Sequence, residues 1–373
     1  MSRIKVLIGV IGKGKGGVPT YAVHLFSHLD REKFDVTFLS NQPHPFYEQD
    51  ILKLGGKIAV VPSRNRHPLA HRAAIRKLMR ENQFQVCHIN LSSASNTVPL
   101  EEAVKAGIPV VIAHSHNASA EGGTLIQLLH RRGCRILHRL PITRLACSGA
   151  AGRFMFGDRP FDFVPNAIDL DRFSFREEAR QAMRDRLGLG DAFVVGHVGR
   201  LVPVKNQSFL LDVFAALKAL HPNSRLLLCG DGPDEAALRQ KAKALGIEEE
   251  TIFLGNVSDP ENAFCAMDAM MFPSICEGFG MVVVEAVGTG LPCLVSDRLP
   301  PEVEVNSLVQ FFSLEEQPQQ LAQKLLALKG TKRFSRREEL AQAGYDTDQQ
   351  TRIMEARYLG RSDAQITGKE QLP

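Results

Sequence analysis

The feature that most limits this fold is the return, from the first residues onward, of short β-branched runs separated by helix-length amphipathic segments. RIKVLIGV, FDVTFLS, KIAVVP, QVCHINL, PVVIAHS and TRLACS read as strands, and segments such as AHRAAIRKLMREN carry apolar residues at helical spacing. Strands alternating with helices imply right-handed crossovers and a parallel doubly wound sheet. The pattern then starts afresh in AFVVGHVG, SRLLLCG, TIFLGN, AMMFP and PCLVS, with QSFLLDVFAALKAL and DEAALRQKAKAL as helices. The expectation is an α/β chain with two Rossmann-like doubly wound parallel sheets, and 373 residues suffice for two cores.

The join should fall where Pro165 and Asn166 mark a turn in VPNAIDLDRF, giving a first domain over residues 1–165 and a second over 166–344. After Val309–Phe312 only helical pattern remains, and residues 361–373 lose hydrophobic pattern altogether and read as a disordered tail. The opening apolar run, Ile4 to Val10 around Lys5, breaks into glycine, which suits a first strand and not a signal peptide, and no run reaches the length of a membrane span. A cytoplasmic protein is expected. The seven cysteines lie apart in mainly apolar segments without a C-x-x-C pair, the pattern of reduced core thiols. The histidines likewise lack a metal-ligand spacing, so no metal is expected.

Charge is unevenly spread. Residues 1–165 carry 22 Lys and Arg against 11 Asp and Glu, whereas the remainder carries 23 against 30. The first half should therefore meet something anionic. Its excess sits in RNRHPLAHRAAIRKLMR (Arg64–Arg80) and LLHRRGCRILHRL (Leu128–Leu140), which mix Arg and His with Leu, Ile and Met as helices lying on anionic membranes do. A core-facing helix with a solvated basic face reads equally well. Nucleic acid is disfavoured as a partner, because four tyrosines and no tryptophan offer no stacking platform.

Three segments carry chemistry. GKGKGGVPTYAVHL (Gly12–Leu25) follows the first strand and opens a helix, so its glycines can present backbone N–H groups to an anion. It lacks the spacing of a dinucleotide-binding loop, which argues against a nicotinamide-dependent oxidoreductase. In GHVGRLVPVKNQSFL, Arg200 and Lys205 stand after the first strand of the second domain, where open α/β sheets bind ligands, and two cations there suit a diphosphate. The plainer alternative is solvated surface charge. CEGFGMVVVEAVGTGLPCLVS sets Glu277 and Glu285 eight positions apart, with Gly278 and Gly280 ahead of a helix starting near Met281. Two carboxylates beside a phosphate site suit the hydroxyls of a sugar or ribose.

This last segment resembles the E-x(7)-E signature of the retaining glycosyltransferases of family 4, which have the GT-B fold of two Rossmann-like domains facing across a cleft. The resemblance extends over nearly the whole chain: the GG loop, AHSHN, ACS, VPNAID, GR followed by K, LCGDGP, FLG, Asp268, and the PS, EGFG, E and GLP elements. The similarity is to bacterial exopolysaccharide and capsule transferases in particular. It implies transfer of a hexose-type sugar from a nucleotide-sugar, UDP-sugars being favoured, to a glycan or a polyprenyl-diphosphate-linked acceptor. A sugar-nucleotide epimerase of similar architecture is the alternative.

By that resemblance Arg200 and Lys205 bind the donor diphosphate and Glu285 the ribose. Glu277 and the backbone of Gly278, Phe279, Gly280 and Met281 hold the donor sugar and distal phosphate. Asn256 and Val257, in LGNV, meet the base. Gly16 and Gly17 approach the phosphates, and His116 stands near the reacting carbon, with His114 as a structural neighbour. The catalytic set is then His116, Arg200, Lys205 and Glu277. The resemblance further implies that the leaving diphosphate deprotonates the acceptor, that no cofactor or metal is needed, and that a helix over about 345–360 returns to the first domain. The Asp169-Leu170-Asp171 triplet is read as part of the interdomain turn.

Overall fold

The computed structural model describes residues 3–14, 16–118 and 123–361. Residues 362–373, where a disordered tail was expected, lie outside the described residues. The chain divides into two compact units, one of residues 1–167 with 346–373, the other Ile168–Tyr345.

Unit 1 runs β1 (Ile4–Ile11), α1 (Gly17–His28), β2 (Phe34–Ser40), α2 (Glu48–Lys53), β3 (Lys57–Val60), α3 (Pro68–Asn82), β4 (Val86–Leu91), α4 (Val98–Lys105), β5 (Val110–Ser115), α5 (Thr124–Arg139), β6 (Thr143–Ala146), α6 (Gly149–Phe156) and β7 (Asp162–Phe163). Its seven strands pair in parallel in the order β3-β2-β1-β4-β5-β6-β7. The central strands are buried on both faces, as the near-continuous apolar runs VLI and VCHINL require. One face is covered by a cluster that joins Tyr21, Leu25 and Phe26 of α1 to Phe34 and Phe38 of β2, the other by one that joins Ile75, Leu100 and Leu137 of α3, α4 and α5.

Unit 2 runs α7 (Glu177–Arg186), β8 (Phe193–Val198), α8 (Gln207–Leu220), β9 (Ser224–Cys229), α9 (Glu235–Ala244), β10 (Thr251–Gly255), α10 (Pro260–Ala266), β11 (Ala269–Phe272), α11 (Met281–Gly288), β12 (Cys293–Ser296), β13 (Val309–Phe312), α12 (Pro318–Ala327) and α13 (Arg337–Gln342). Its parallel sheet has the order β10-β9-β8-β11-β12-β13. The sixth strand, β13, and the two-residue β7 of unit 1 are additions to the strands read from sequence. Each is short enough to carry no alternation of its own, and β13 pairs with β12.

The last helix, α14 (Thr347–Tyr358), belongs to unit 1. Asp346 caps it by accepting from the backbone of Asp348 and Gln349. Its buried Met354 and Tyr358 join the α1 cluster, the Tyr358 hydroxyl lies 2.7 Å from His88 Nδ1, and Glu355 accepts from the Asp30 backbone. Among the described residues no helix is long and apolar enough to cross a membrane.

In both sheets the strand order reverses direction beside the first strand, between β1 and β4 in unit 1 and between β8 and β11 in unit 2. Crevices outside the carboxyl ends of strands at such a reversal are where open α/β sheets bind ligands.

Candidate functional site

Unit 2 assembles most of the residues singled out from sequence at its β8/β11 reversal. Arg200 follows β8, and its side chain is exposed. The chain then makes a single 3-10 turn, Pro203–Lys205, and Asn206 adopts φ 56 before α8 begins. From the end of β11 comes the second loop, tied to the first by a 2.8 Å bond from the Ile275 backbone N–H to the Val204 carbonyl. Lys205 Nζ thereby lies 2.5 Å from Glu277 Oε1 and 4.9 Å from the centre of the Phe272 ring. The two side chains are 20% and 14% exposed, so the pair is largely withdrawn from water and each charge supports the other.

Support for this arrangement comes from beneath. Gln207 donates at 2.8 Å to the Arg200 carbonyl and lies 3.1 Å from His197 Nε2, while His197 Nδ1 meets the Met271 carbonyl at 3.1 Å. Burial, and beyond it the charge of Lys205, pushes His197 down to about 4 despite the bond to Met271, so it is a neutral strut. On the flank, a Cβ on Gly230 would stand 1.9 Å from the Gly199 carbonyl, and the Leu201 N–H bonds the Asp231 carbonyl at 2.7 Å. Only glycine permits that approach, which explains why the GDGP loop bears on the position of Arg200.

Gly280, at φ 96, opens α11 at Met281, and Glu285 lies one turn in, half-buried. Phe279 is 3% exposed and packs against Tyr345 within the unit. Asn256 is exposed and Val257 half-buried, both just past β10, whose end is held by a 2.7 Å bond from Gly230 N–H to the Gly255 carbonyl. Asp169 is consumed by its own turn, accepting from the backbone N–H groups of Asp171 and Arg172, and Asp171 pairs with Arg337. Among the described residues no group of three or more His, Cys, Asp or Glu side chains could hold a metal ion.

In unit 1, Gly16 and Gly17 are exposed at the start of α1 after β1; a Cβ at Gly17 would meet nothing within 4 Å. His116, just beyond β5, is 4% exposed. Its Nδ1 lies 3.0 Å from Asn166 Oδ1 and its Nε2 2.8 Å from Asn90 Oδ1. Burial takes the ring down to about 3, against the opposing bond from Asn166, so it is neutral and has a single N–H. Donation from Nδ1 to Asn166, with the Asn90 amide turned so that Nδ2 donates to Nε2, satisfies all of it; Nδ2 is the Asn90 atom otherwise without a hydrogen-bond partner. His114 is fully buried, 4.1 Å from His116 between ring centres, and Tyr21 lies 4.7 Å from His116.

Asn90, Asn166, His197, Gln207 and Phe272 all escaped the sequence reading as site residues. Asn90 and His197 left a signal, each being a polar residue inside an apolar strand run.

The basic helices differ from one another. On α3, Arg72 and Arg76 are bound to Glu102 at 2.6 and 2.8 Å, and Arg72 also to Glu101 at 3.0 Å. Burial alone would raise the Glu102 carboxyl, but the hydrogen bonds from Arg76, Arg72 and Lys105 hold it down at about 2. These two arginines are therefore engaged within the unit. No ion pair among the described residues engages Arg131, Arg132, Arg135 or Arg139 of α5.

Comparisons with known proteins bear on these units. Residues 15–172 match the family model described as Glycosyltransferase Family 4, and residues 179–347 that described as Glycosyl transferases group 1. EpsF of Bacillus subtilis (strain 168), which bears a glycosyltransferase name, is 32% identical over 93% of this chain and 94% of its own. An Escherichia coli protein named UDP-Gal:alpha-D-GlcNAc-diphosphoundecaprenol alpha-1,3-galactosyltransferase is 24% identical over 79% of this chain and 80% of its own. Among solved structures, Anabaena HepE in complex with UDP covers 96% of this chain and 95% of its own with a TM-score of 0.74 at 20% identity, and thus shows likeness of fold. With two parallel Rossmann-like sheets of the GT-B type and these matches, the chain belongs to the family 4, group 1 glycosyltransferases and is an enzyme of sugar transfer.

Proposed function

We propose that this enzyme moves a hexose from a UDP-sugar, with retention of anomeric configuration, to a polyprenyl-diphosphate-linked sugar at the cytoplasmic face of the membrane, during surface polysaccharide synthesis. The observation that carries the reading is the meeting of the Arg200–Lys205 loop with the Glu277–Met281 loop at the β8/β11 reversal. Cations and a helix start with bare glycine backbone suit a diphosphate, and carboxylates suit hydroxyls.

In this reading Arg200 and Lys205 take the diphosphate and stabilise the charge that develops on it as the sugar leaves. Glu277 and the backbone of Gly278–Met281 orient the sugar, Glu285 the ribose, and Asn256 and Val257 the base; Gly16 and Gly17 serve the phosphates. His116, neutral and fixed by two asparagines, is a hydrogen-bonding group near the reacting carbon and too weak a base to take a proton. The leaving diphosphate accepts the acceptor proton, so neither a protein base nor a metal is called on. UDP and a diphospholipid acceptor are supported by the name of the Escherichia coli relative, and UDP by the ligand of HepE; GDP-mannose in the names of mycobacterial relatives makes GDP the competing base.

Calorimetric titration with a panel of UDP- and GDP-sugars tests the donor. Transfer to a polyprenyl-diphosphate-linked sugar, with proton NMR of the new linkage, tests the rest. Retention with a UDP-sugar supports the reading, and an inverted linkage or an epimerised free donor refutes it.

A further inference from the structure

His116 leans on a buried stack of rings that reaches α14. Its ring centre lies 4.1 Å from that of His114, and His114 stacks on His88 at 5.5 Å with the planes 13° apart. All three are buried, and Tyr21 abuts the stack, 5.1 Å from His114 and 4.7 Å from His116. At the far end the Tyr358 hydroxyl lies 2.7 Å from His88 Nδ1. His88 Nε2 has no hydrogen-bond partner among the described residues, so the hydroxyl supplies the one bond that fixes this ring. His88 also stands two residues before Asn90 on β4, and strand alternation puts both side chains on one face of the sheet. Asn90 is the residue that meets His116 Nε2.

The other side of His116 depends on a segment that the sheet does not hold. β7 pairs with β6 through Asp162 and Phe163, and the Val164 N–H reaches the Ala146 carbonyl at 2.9 Å. There the pairing stops, because Pro165 has no N–H to continue it. Asn166, which meets His116 Nδ1, comes next, and this stretch of unit 1 ends one residue later at Ala167. Helix α14 takes over where the sheet leaves off. Arg357 bonds Asp162 at 2.8 Å, and the Gln350 amide donates to the Pro165 carbonyl. Gln350 is buried and precedes Tyr358 on α14 by about two turns. Apolar packing alone would seat this helix, since Met354 and the Tyr358 ring already join the α1 cluster. A buried amide and a buried hydroxyl add a desolvation cost, and both are aimed at the two ends of the chain of contacts that holds His116.

We propose that Gln350 and Tyr358 are positioning residues for His116: through Pro165 and Asn166 on one side, and through His88 and His114 on the other, α14 sets the plane and the tautomer of the ring. With Asn166 held in place, Nδ1–H donates to its Oδ1; with Asn166 released, an Nε2–H form donates to Asn90 Oδ1 instead. Both side chains on α14 are buried, so each acts through the ring and not on substrate. The kinetic consequence rests on the proposed place of His116 near the reacting carbon, whereas the tautomer does not.

The test uses the full chain with isotope-labelled histidine and two variants. Gln350→Met keeps the length of the side chain and removes the donor, and Tyr358→Phe removes only the hydroxyl. Glu355→Ala, which loosens α14 at Asp30 and touches neither route to His116, is the control for mere destabilisation. The imidazole nitrogen shifts, assigned by comparison with His116→Gln, should show His116 as the Nδ1–H tautomer in the wild type and the control, with the Nε2–H form appearing in Gln350→Met. Gln350→Met and Tyr358→Phe should each lower kcat by about tenfold while the dissociation constant of the UDP-sugar stays within about threefold. An unchanged tautomer in Gln350→Met, or a loss of kcat in either variant no larger than that of Glu355→Ala, overturns the proposal. Transfer at the wild-type rate by His116→Ala would instead remove the proposed role of His116, and the tautomer alone would then decide whether α14 orients the ring.

Discussion

Lys205 Nζ and Glu277 Oε1 lie 2.5 Å apart at the carboxyl ends of β8 and β11. An ammonium has three donors, so Lys205 can keep Glu277 and still meet a phosphate. The carboxylate partly offsets the charge offered to an anion while holding the ammonium in place. The two residues should therefore separate in their effects. Lys205→Ala should weaken binding of plain UDP by about tenfold or more, having removed a charge-assisted contact and left a carboxylate behind. Glu277→Gln should leave UDP affinity unchanged or tighten it by about threefold, yet lower kcat/KM for the UDP-sugar by at least about tenfold. Calorimetry with UDP beside steady-state kinetics measures both.

Acid should destabilise the protein through its buried histidines. His88 and His116 are brought down to about 3 and His197 to about 4, chiefly by burial, and His114 is lowered too. Their folded pKa values lie below the unfolded value of about 6.5, so the unfolded chain binds more protons between these limits and stability falls as pH drops below about 6.5. Each group contributes a slope of up to about 1.4 kcal/mol per pH unit. Three of the four lie in unit 1, so denaturant titrations at pH 7 and pH 5, followed by probes in each unit, should show the larger loss there. Equal midpoints at the two pH values would contradict this.

The Asn90–His116–Asn166 chain predicts a pH signature. Asn166→Asp places a carboxylate beside Nδ1 and should raise the His116 pKa, moving any acid limb of the rate profile upward. Asn90→Ala frees the ring to rotate and should lower kcat more than it raises the donor dissociation constant. A pH profile of kcat for both variants, with donor binding measured in parallel, separates a positioning role from a purely structural one.

Gly230→Ala tests the support beneath Arg200. The added methyl would press on the Gly199 carbonyl, so the loop must shift at a cost of roughly 2 kcal/mol, and donor affinity should fall although residue 230 touches no donor in the proposed site. A lowered melting temperature with wild-type donor affinity would show that this loop does not govern Arg200.

Much of this could be seen in the residues alone. The doubled strand–helix alternation led to two parallel sheets because strands buried on both faces must be apolar throughout, and LLLC and MMF are. The β13 segment was delimited but not assigned as a strand because VQFF, four residues long, is too short to show a period of its own. Glycine spacing led to Gly280 and the start of α11. What spacing could not show is which charges meet: Lys205 and Glu277 are 72 residues apart and paired, and Arg72 and Arg76 are held by Glu102 of the next helix. The two asparagines on His116 belong to different segments, and only the fold brings them to one ring.

The most direct test of the whole account is donor titration of Arg200→Ala, Lys205→Ala, Glu285→Ala and His116→Ala side by side with the wild type, using the UDP-sugar that binds best. The three unit 2 variants should each bind about tenfold or more weakly, and His116→Ala should bind within about threefold of wild type while transferring sugar far more slowly. Wild-type affinity in all three unit 2 variants would contradict the assignment of the diphosphate to the β8/β11 loops.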